Sequence, residues 1–189
     1  MISPRRVPDR YSSLSIAMHW LMVLLLVAVY AAINLREFYP KGSDLREALK
    51  QWHFMLGLSV FALVWLRLAI RLVSGAPGTL ASIGVWQHRA AVLMHGALYL
   101  FMVVMPLLGW SVLSAKGKVI PFFGLQLPAL IGTDKPLAES IEEIHVTIGT
   151  IGYYLVGLHA AAALFDHYVL RNNTLLRMLP RRRSQGELP

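Results

Sequence analysis

Residues 144–170 read IHVTIGTIGYYLVGLHAAAALFDHYVL, a run with one acid, Asp166, and no lysine or arginine. Such a run is long enough to cross a hydrocarbon core of about 30 Å as a helix. It also carries His145 and His159, fourteen residues apart. At about 100° per residue, fourteen steps return to within about 40° of the starting direction, so both rings leave one helix face, about 21 Å apart along the axis. Ionisable side chains inside a membrane are costly and mark function by default. A single histidine near a span end is ordinarily an interfacial or helix-bonding residue; two on one face at two depths ask for a partner at each depth.

Working outward, three more apolar runs of spanning length occupy about 14–35, 49–73 and 90–113. The chain of 189 residues is 56% hydrophobic and 15% charged, with a mean hydropathy of +0.54. Soluble domains run nearer about 45–50% apolar and about 25% charged. That surplus excludes disorder and points to lipid. Cysteine is absent, which excludes disulfides, iron–sulfur clusters and thiolate metal sites. No repeat or low-complexity tract appears, and no connection is long enough to fold separately. The first run is too long for a cleavable signal and lacks a small-x-small site after it. Pro106 is expected to kink the third helix, which neighbours in a bundle tolerate. The expected architecture is therefore all-α: an integral-membrane four-helix bundle, with residues 1–189 forming one membrane domain.

Charge orients it. Arg5, Arg6, Arg10, Arg67, Arg71, Arg89, Arg171, Arg177, Arg181, Arg182 and Arg183 fall at the end holding both termini, against Asp9, Asp166 and Glu187. At the other end Arg36, Lys41, Arg46, Lys50, Lys116, Lys118 and Lys135 are balanced by seven acids, so the formal charge of +8 belongs to one side. Basic residues beside span ends mark the cytoplasmic face, which predicts cytoplasmic N- and C-termini in a bacterial inner membrane. A pI near 10.1 can signal nucleic-acid binding, but arginines that flank apolar spans are met more simply by anionic lipid headgroups. No nucleic-acid partner is expected.

With that orientation, His19 and His159 share the cytoplasmic level, and His53 and His145 the periplasmic one. Two neutral imidazoles on facing helices can close both axial positions of a haem iron. Arg67 and Arg71 are placed to meet haem propionates at the cytoplasmic end, and Lys50, Lys116 or Lys118 at the other. Gly57, Gly149, Gly152 and Gly157 allow close approach, of helices or of a flat macrocycle; Trp20 and Trp52 each adjoin a candidate ligand. No HExxH motif exists and the spans lack the acids of a carboxylate-rich metal site. A histidine proton relay would not explain two paired depths. His95, in the third span, competes with His19 and His159 for the cytoplasmic level, and periodicity and depth do not choose two of the three. His88, seven residues before it, reads as an end residue.

Four segments together, RYSSLSIAMHWL (10–21), WHFMLGLSVFALVWLRLAIRL (52–72), HGALYLFMVVMPLLGW (95–110) and GLHAAAALFDHYVLRNNTLLRMLPRR (157–182), resemble the bacterial cytochrome b561 family of di-haem membrane proteins. The likeness runs from about Tyr11 to Arg183. It implies two b-type haems, with His19 and His159 as ligands of the cytoplasmic iron and His53 and His145 of the periplasmic one. His95 then matches a family histidine that is not a ligand. Asp166 stands where the similar members carry histidine, whereas His167, Arg171, Asn172, Asn173 and Thr174 follow the pattern. The chain is most similar to the branch that passes electrons from periplasmic superoxide to ubiquinone.

With all axial positions filled, neither iron can bind a substrate, so the chemistry expected is electron transfer at the haem edge. Superoxide suits this, because losing one electron needs no bond to iron. Arg36, Lys41, Arg46, Lys50, Lys116 and Lys118 are candidates for a cationic funnel that concentrates the anion; the other reading is loop charges paired with nearby acids. Quinone reduction takes up protons as well as electrons, which points to a cytoplasmic site near His159, with His95, Asp166, His167 and Arg171 as candidates. Two other functions fit parts of the pattern. One is a haem-carrying anchor relaying electrons from a partner dehydrogenase or hydrogenase, which the short connections disfavour. The other is a non-redox membrane protein with structural histidines, which a visible spectrum would distinguish.

Overall fold

The computed structural model describes residues 10–74 and 84–180. Arg5, Arg6, Asp9, Arg181, Arg182, Arg183 and Glu187, used in the charge count, lie outside them. Four long helices follow in order: α1 (Ser13–Leu35), α2 (Asp44–Ser74), α3 (Val85–Ala115) and α4 (Lys135–Tyr168). All four are long and apolar enough to cross a membrane. Short 3-10 turns occupy Arg36–Phe38 and Leu176–Met178. A small antiparallel hairpin, β1 (Ile120–Phe122) and β2 (Leu125–Leu127), sits between α3 and α4. Among the described residues, the hairpin is the one departure from helices and their connecting turns.

Each helix begins or ends where its chemistry changes. The Ser12 hydroxyl accepts from the Ser15 N–H at 3.1 Å to cap α1. Asp134 caps α4 by accepting from Leu137 N–H at 3.0 Å, with Pro136 in the first turn, where its missing N–H costs nothing. Asp44 and Glu47 occupy the first turn of α2, where the helix dipole favours negative charge. The helices extend beyond the runs at 49–73, 90–113 and 144–170. Hydropathy registers only the lipid-facing length, while the polar first turns of α2 and α4 remain helical in the interface. Pro106 lies inside an unbroken α3.

α1 packs on α2, α2 on α3 and α3 on α4, and α4 makes no comparable backbone approach to α1 or α2. The centre is a cluster of Met22, Val60, Val64, Phe101 and Met102, joined from α4 by Ile148 and Leu155. Gly152 permits α4 to cross this cluster, since a Cβ there would overlap the Tyr30 hydroxyl and the Phe101 ring. Without a hydrophobic force between helices in lipid, polar contacts carry part of the association. Tyr30 donates to the Gly149 carbonyl at 2.7 Å, and Asn34 donates to the Tyr153 hydroxyl at 2.6 Å. Leu24, Val73, Leu93, Leu100 and Leu158 face outward, as lipid contact requires.

The two ends of the bundle are closed differently. At the hairpin end, Ile120 of β1 joins Leu58 and Leu113, with Phe54, Trp110, Phe122 and Leu127 packed around them. The buried Ser114 hydroxyl accepts from Leu130 N–H at 3.0 Å and ties the connection to α3. At the other end, residues after α4 turn back at Arg171, which adopts a left-handed φ of +53°. Asn172 N–H bonds the Asp166 carbonyl across this turn and satisfies one of the carbonyls left open at the helix end. The segment then runs under α1, where Trp20 donates to the Met178 carbonyl at 2.8 Å and Arg10 to the Leu176 and Leu179 carbonyls.

Candidate functional site

Five of the seven histidines gather in two groups. His53 on α2 and His145 on α4 face each other at the hairpin end, their ring centroids 6.2 Å apart and their planes crossed at 84°. At the opposite end His19 on α1 faces His159 on α4, with centroids 6.4 Å apart and planes crossed at 73°. An imidazole nitrogen bonds a first-row metal at about 2.0 Å and lies about 1.1 Å from its own ring centre, so two rings clasping one metal have centroids about 6.2 Å apart. Both pairs have that width. His95 stands 5.4 Å from His159, too close for a metal between the two. Among the described residues, no group of three or more histidines, cysteines or acids is arranged to hold a metal ion. A two-ligand clasp with an equatorial macrocycle is therefore what these donors suit.

The surroundings of each ring differ. His53 Nδ1 lies 3.1 Å from the Val29 carbonyl of α1. A carbonyl only accepts, so Nδ1 carries the proton and Nε2 keeps a free lone pair, the tautomer of a metal ligand. His145 stands against α3, where a Cβ added at Gly109 would lie 3.3 Å from its Cε1; its buried Nδ1 makes no hydrogen bond of normal geometry. His19 Nδ1 is 3.1 Å from Arg67 Nη2, and Trp20 stands edge-on to the ring at 5.5 Å. His95 Nδ1 is 2.6 Å from the Ala91 carbonyl of its own helix. The standoff between α4 and its neighbours α1 and α2 is where both clasps fall.

The charged candidates separate on inspection. Arg46 is a buried staple: Nη1 donates to the Arg36 and Tyr39 carbonyls at 2.9 Å each, and Nη2 pairs with Glu37 at 3.2 Å. Arg36 pairs with Glu37 at 2.9 Å, Lys50 with Glu47 at 2.6 Å and Lys116 with Glu142 at 2.5 Å. Lys41 and Lys118 have no ion pair among the described residues. Arg71 lies over the Tyr11 ring at 5.6 Å. His167 Nδ1 is 3.3 Å from the Asn172 carbonyl, so with Asp166 and Arg171 it belongs to the turn that ends α4. His95 is apart from that turn, beside the His159 ring. Trp52 contacts Phe123 of the hairpin at 6.2 Å. Tyr99 and the hairpin are features that sequence reasoning missed; the Phe123-Gly124 turn was the available signal for the second.

Residues 10–181 match the family model described as prokaryotic cytochrome b561. The chain is 37% identical over 175 residues to Cytochrome b561 homolog 1 of Escherichia coli, covering 93% of this chain and 99% of that protein. It is 33% identical over 175 residues to a Yersinia pestis protein named Probable superoxide oxidase CybB, covering 93% and 98%. It is 29% identical over 180 residues to Cytochrome b561 homolog 2 of Escherichia coli, covering 91% and 92%. Four membrane-length helices, paired histidines at metal width and a match over nearly the whole chain agree: this chain belongs to the prokaryotic cytochrome b561 family, multi-pass membrane proteins of electron transfer that carry b-type haem.

Proposed function

We propose that the protein oxidises superoxide at the periplasmic face of a bacterial inner membrane and reduces ubiquinone near the cytoplasmic face. The observation that carries this is the pair of histidine clasps, each of metal width, at opposite ends of one bundle. His19 and His159 would hold one haem b and His53 and His145 the other, and these groups would supply a one-electron relay. Between the clasps, the fourteen residues from His145 to His159 set about 21 Å along α4. With two protein ligands on each iron, substrates exchange electrons without bonding to it. Two superoxide anions each lose one electron to become O2, and one quinone takes up the two electrons and two protons to become quinol.

The chain's own residues act on binding and protons. Lys41 and Lys118, the candidate funnel cations outside ion pairs, raise the local concentration of an anion at the hairpin end. Arg36, Arg46, Lys50 and Lys116 shape that surface through their paired acids. At the terminal end, His95 beside the His159 ring and, separately, the turn of Asp166, His167 and Arg171 offer two places where quinone oxygens could find hydrogen bonds and protons. The name carried by the Yersinia pestis relative supports the superoxide half. Orientation with cytoplasmic termini follows from the arginine excess at that end.

The test is a titration of the purified full chain with superoxide, with and without a short-chain ubiquinone. Superoxide is expected to reduce the haems, giving sharp low-spin b-type bands, and quinone to reoxidise them. Reduction without reoxidation would remove the acceptor half. Failure of superoxide to reduce the haems, with a dehydrogenase or hydrogenase subunit co-purifying, would assign the chain to relay from a protein partner instead.

A further inference from the structure

We propose that Arg67 and Tyr99 form a carboxylate cradle for a propionate of the haem held by His19 and His159, and that Arg67 reaches it by releasing His19. The inference rests on the reading of His19 as an iron ligand.

A guanidinium has five N–H donors and no acceptor. With Arg67 Nη2 3.1 Å from His19 Nδ1, Nδ1 is the acceptor and the ring proton sits on Nε2. Iron needs the Nε2 lone pair. With Nε2 as a ligand the ring proton would sit on Nδ1, facing an arginine that also only donates. His53 has no such conflict, because its Nδ1 faces the Val29 carbonyl. The two clasps therefore differ in one respect: ligation at His19 would displace a hydrogen bond and free a half-buried guanidinium.

A neighbouring cavity is where that cation would go. Arg67 Nη1 and the Tyr99 hydroxyl are both buried and, among the described residues, both without a hydrogen-bond partner, a condition that costs more for a charged group than for a neutral one. They line the same small cavity, together with Tyr11, Ser15, Arg71 and Met178. Its volume of about 20 Å³ is of the order that holds one polar oxygen group. Two arginines, two tyrosines and a serine line it with donors, and among the described residues no acid does. The fitting occupant is an anion with acceptor oxygens, bound by charge-assisted hydrogen bonds. A lipid phosphate offers the same chemistry, and what favours a carboxylate is that one guanidinium serves both this cavity and the His19 ring. Sharing Arg67 with His19 puts the cradle within one side chain of the ligand ring, which is the reach of a propionate on a macrocycle bound there. The proton shift on His19 is internal, and the carboxylate balances the arginine, so loading needs no net proton.

The experiment uses full-length Tyr99→Phe, Arg67→Gln and His19→Ala proteins, read by haem content per chain and by a redox titration that resolves two haems. The same measurements follow reconstitution with haem dimethyl ester, whose propionates carry no charge. Tyr99→Phe is expected to weaken retention of one haem about tenfold and to change its midpoint potential alone; Arg67→Gln is expected to lower that potential further. With the ester, wild type and Tyr99→Phe are expected to coincide. The cradle is refuted if His19→Ala removes one haem while Tyr99→Phe alters neither haem, or if the Tyr99→Phe effect persists with the ester. Loss of bound phospholipid from Tyr99→Phe with both haems unchanged would assign the cavity to a lipid phosphate. If His19→Ala removes no haem, the ligand reading itself fails and takes the cradle with it.

Discussion

His53 and His19 are the same residue at opposite ends of the bundle, yet their Nδ1 atoms face opposite chemistry: a carbonyl acceptor at 3.1 Å and a guanidinium donor at 3.1 Å. His53→Ala is expected to remove one low-spin haem and leave the other, and His19→Ala the reverse; visible spectra and haem content per chain check both. Two intact haems in either variant would contradict the pairing. A second residue-scale expectation concerns Gly109, whose missing Cβ lets His145 lie against α3. Gly109→Leu is expected to displace that ring and broaden the low-spin signal of one haem while leaving the His19–His159 haem unchanged, seen by electron paramagnetic resonance. The fourteen-residue spacing on α4 made both tiers legible in the sequence. The choice between His19 and His95 was not legible from periodicity, because depth along a helix says nothing of the distance to the next. The ring separations of 6.4 Å and 5.4 Å from His159 are what favour His19 in the proposed clasp.

At the scale of elements, the hairpin shows what apolar periodicity cannot reach. Strands of three residues are shorter than any hydropathy window, and the clue is the two-residue Phe123-Gly124 turn with φ of +46° and +87°. Such a turn favours Asn-Gly, and a phenylalanine in the left-handed region is strained. Phe123 is nonetheless in ring contact with Trp52. Phe123→Asn is expected to leave the helical core unchanged and to move the apparent melting temperature by no more than a few degrees, since turn relief and lost aromatic contact are each on the order of 1 kcal/mol. Trp52 fluorescence reports the lost contact. Gly152 is the opposite case: Gly152→Val places bulk against Tyr30 and Phe101. Overpacking of that kind costs about 1–3 kcal/mol, and a lowered thermal midpoint in detergent, with both haems lost at a lower temperature, is the expected reading.

For the whole molecule, charge and topology make the predictions. A chain without cysteine allows single-site labelling. Lys41→Cys is expected to react with a membrane-impermeant maleimide from the periplasm of intact cells, and Asn173→Cys only after lysis; the reverse would invert the proposed orientation. Lys41→Glu with Lys118→Glu is expected to slow haem reduction by superoxide about threefold to tenfold at low ionic strength and little at high salt, the mark of steering by a field. The count of cations at the hairpin end was legible in the sequence. Their partners were not: Arg46 reads as a surface charge until its three bonds to the turn at 36–39 are seen.

Hydropathy, charge asymmetry and helical spacing by themselves determined four spans, the common end of both termini and two tiers of imidazole, because each is a property of one helix and its solvent. Only the tertiary structure decided which rings stand at metal width, which lysines stay unpaired and that Arg67 shares its ends between His19 and the Tyr99 cavity. Those are distances between helices, set by how side chains such as those around Gly152 let the elements approach, and no pattern along a single span contains them.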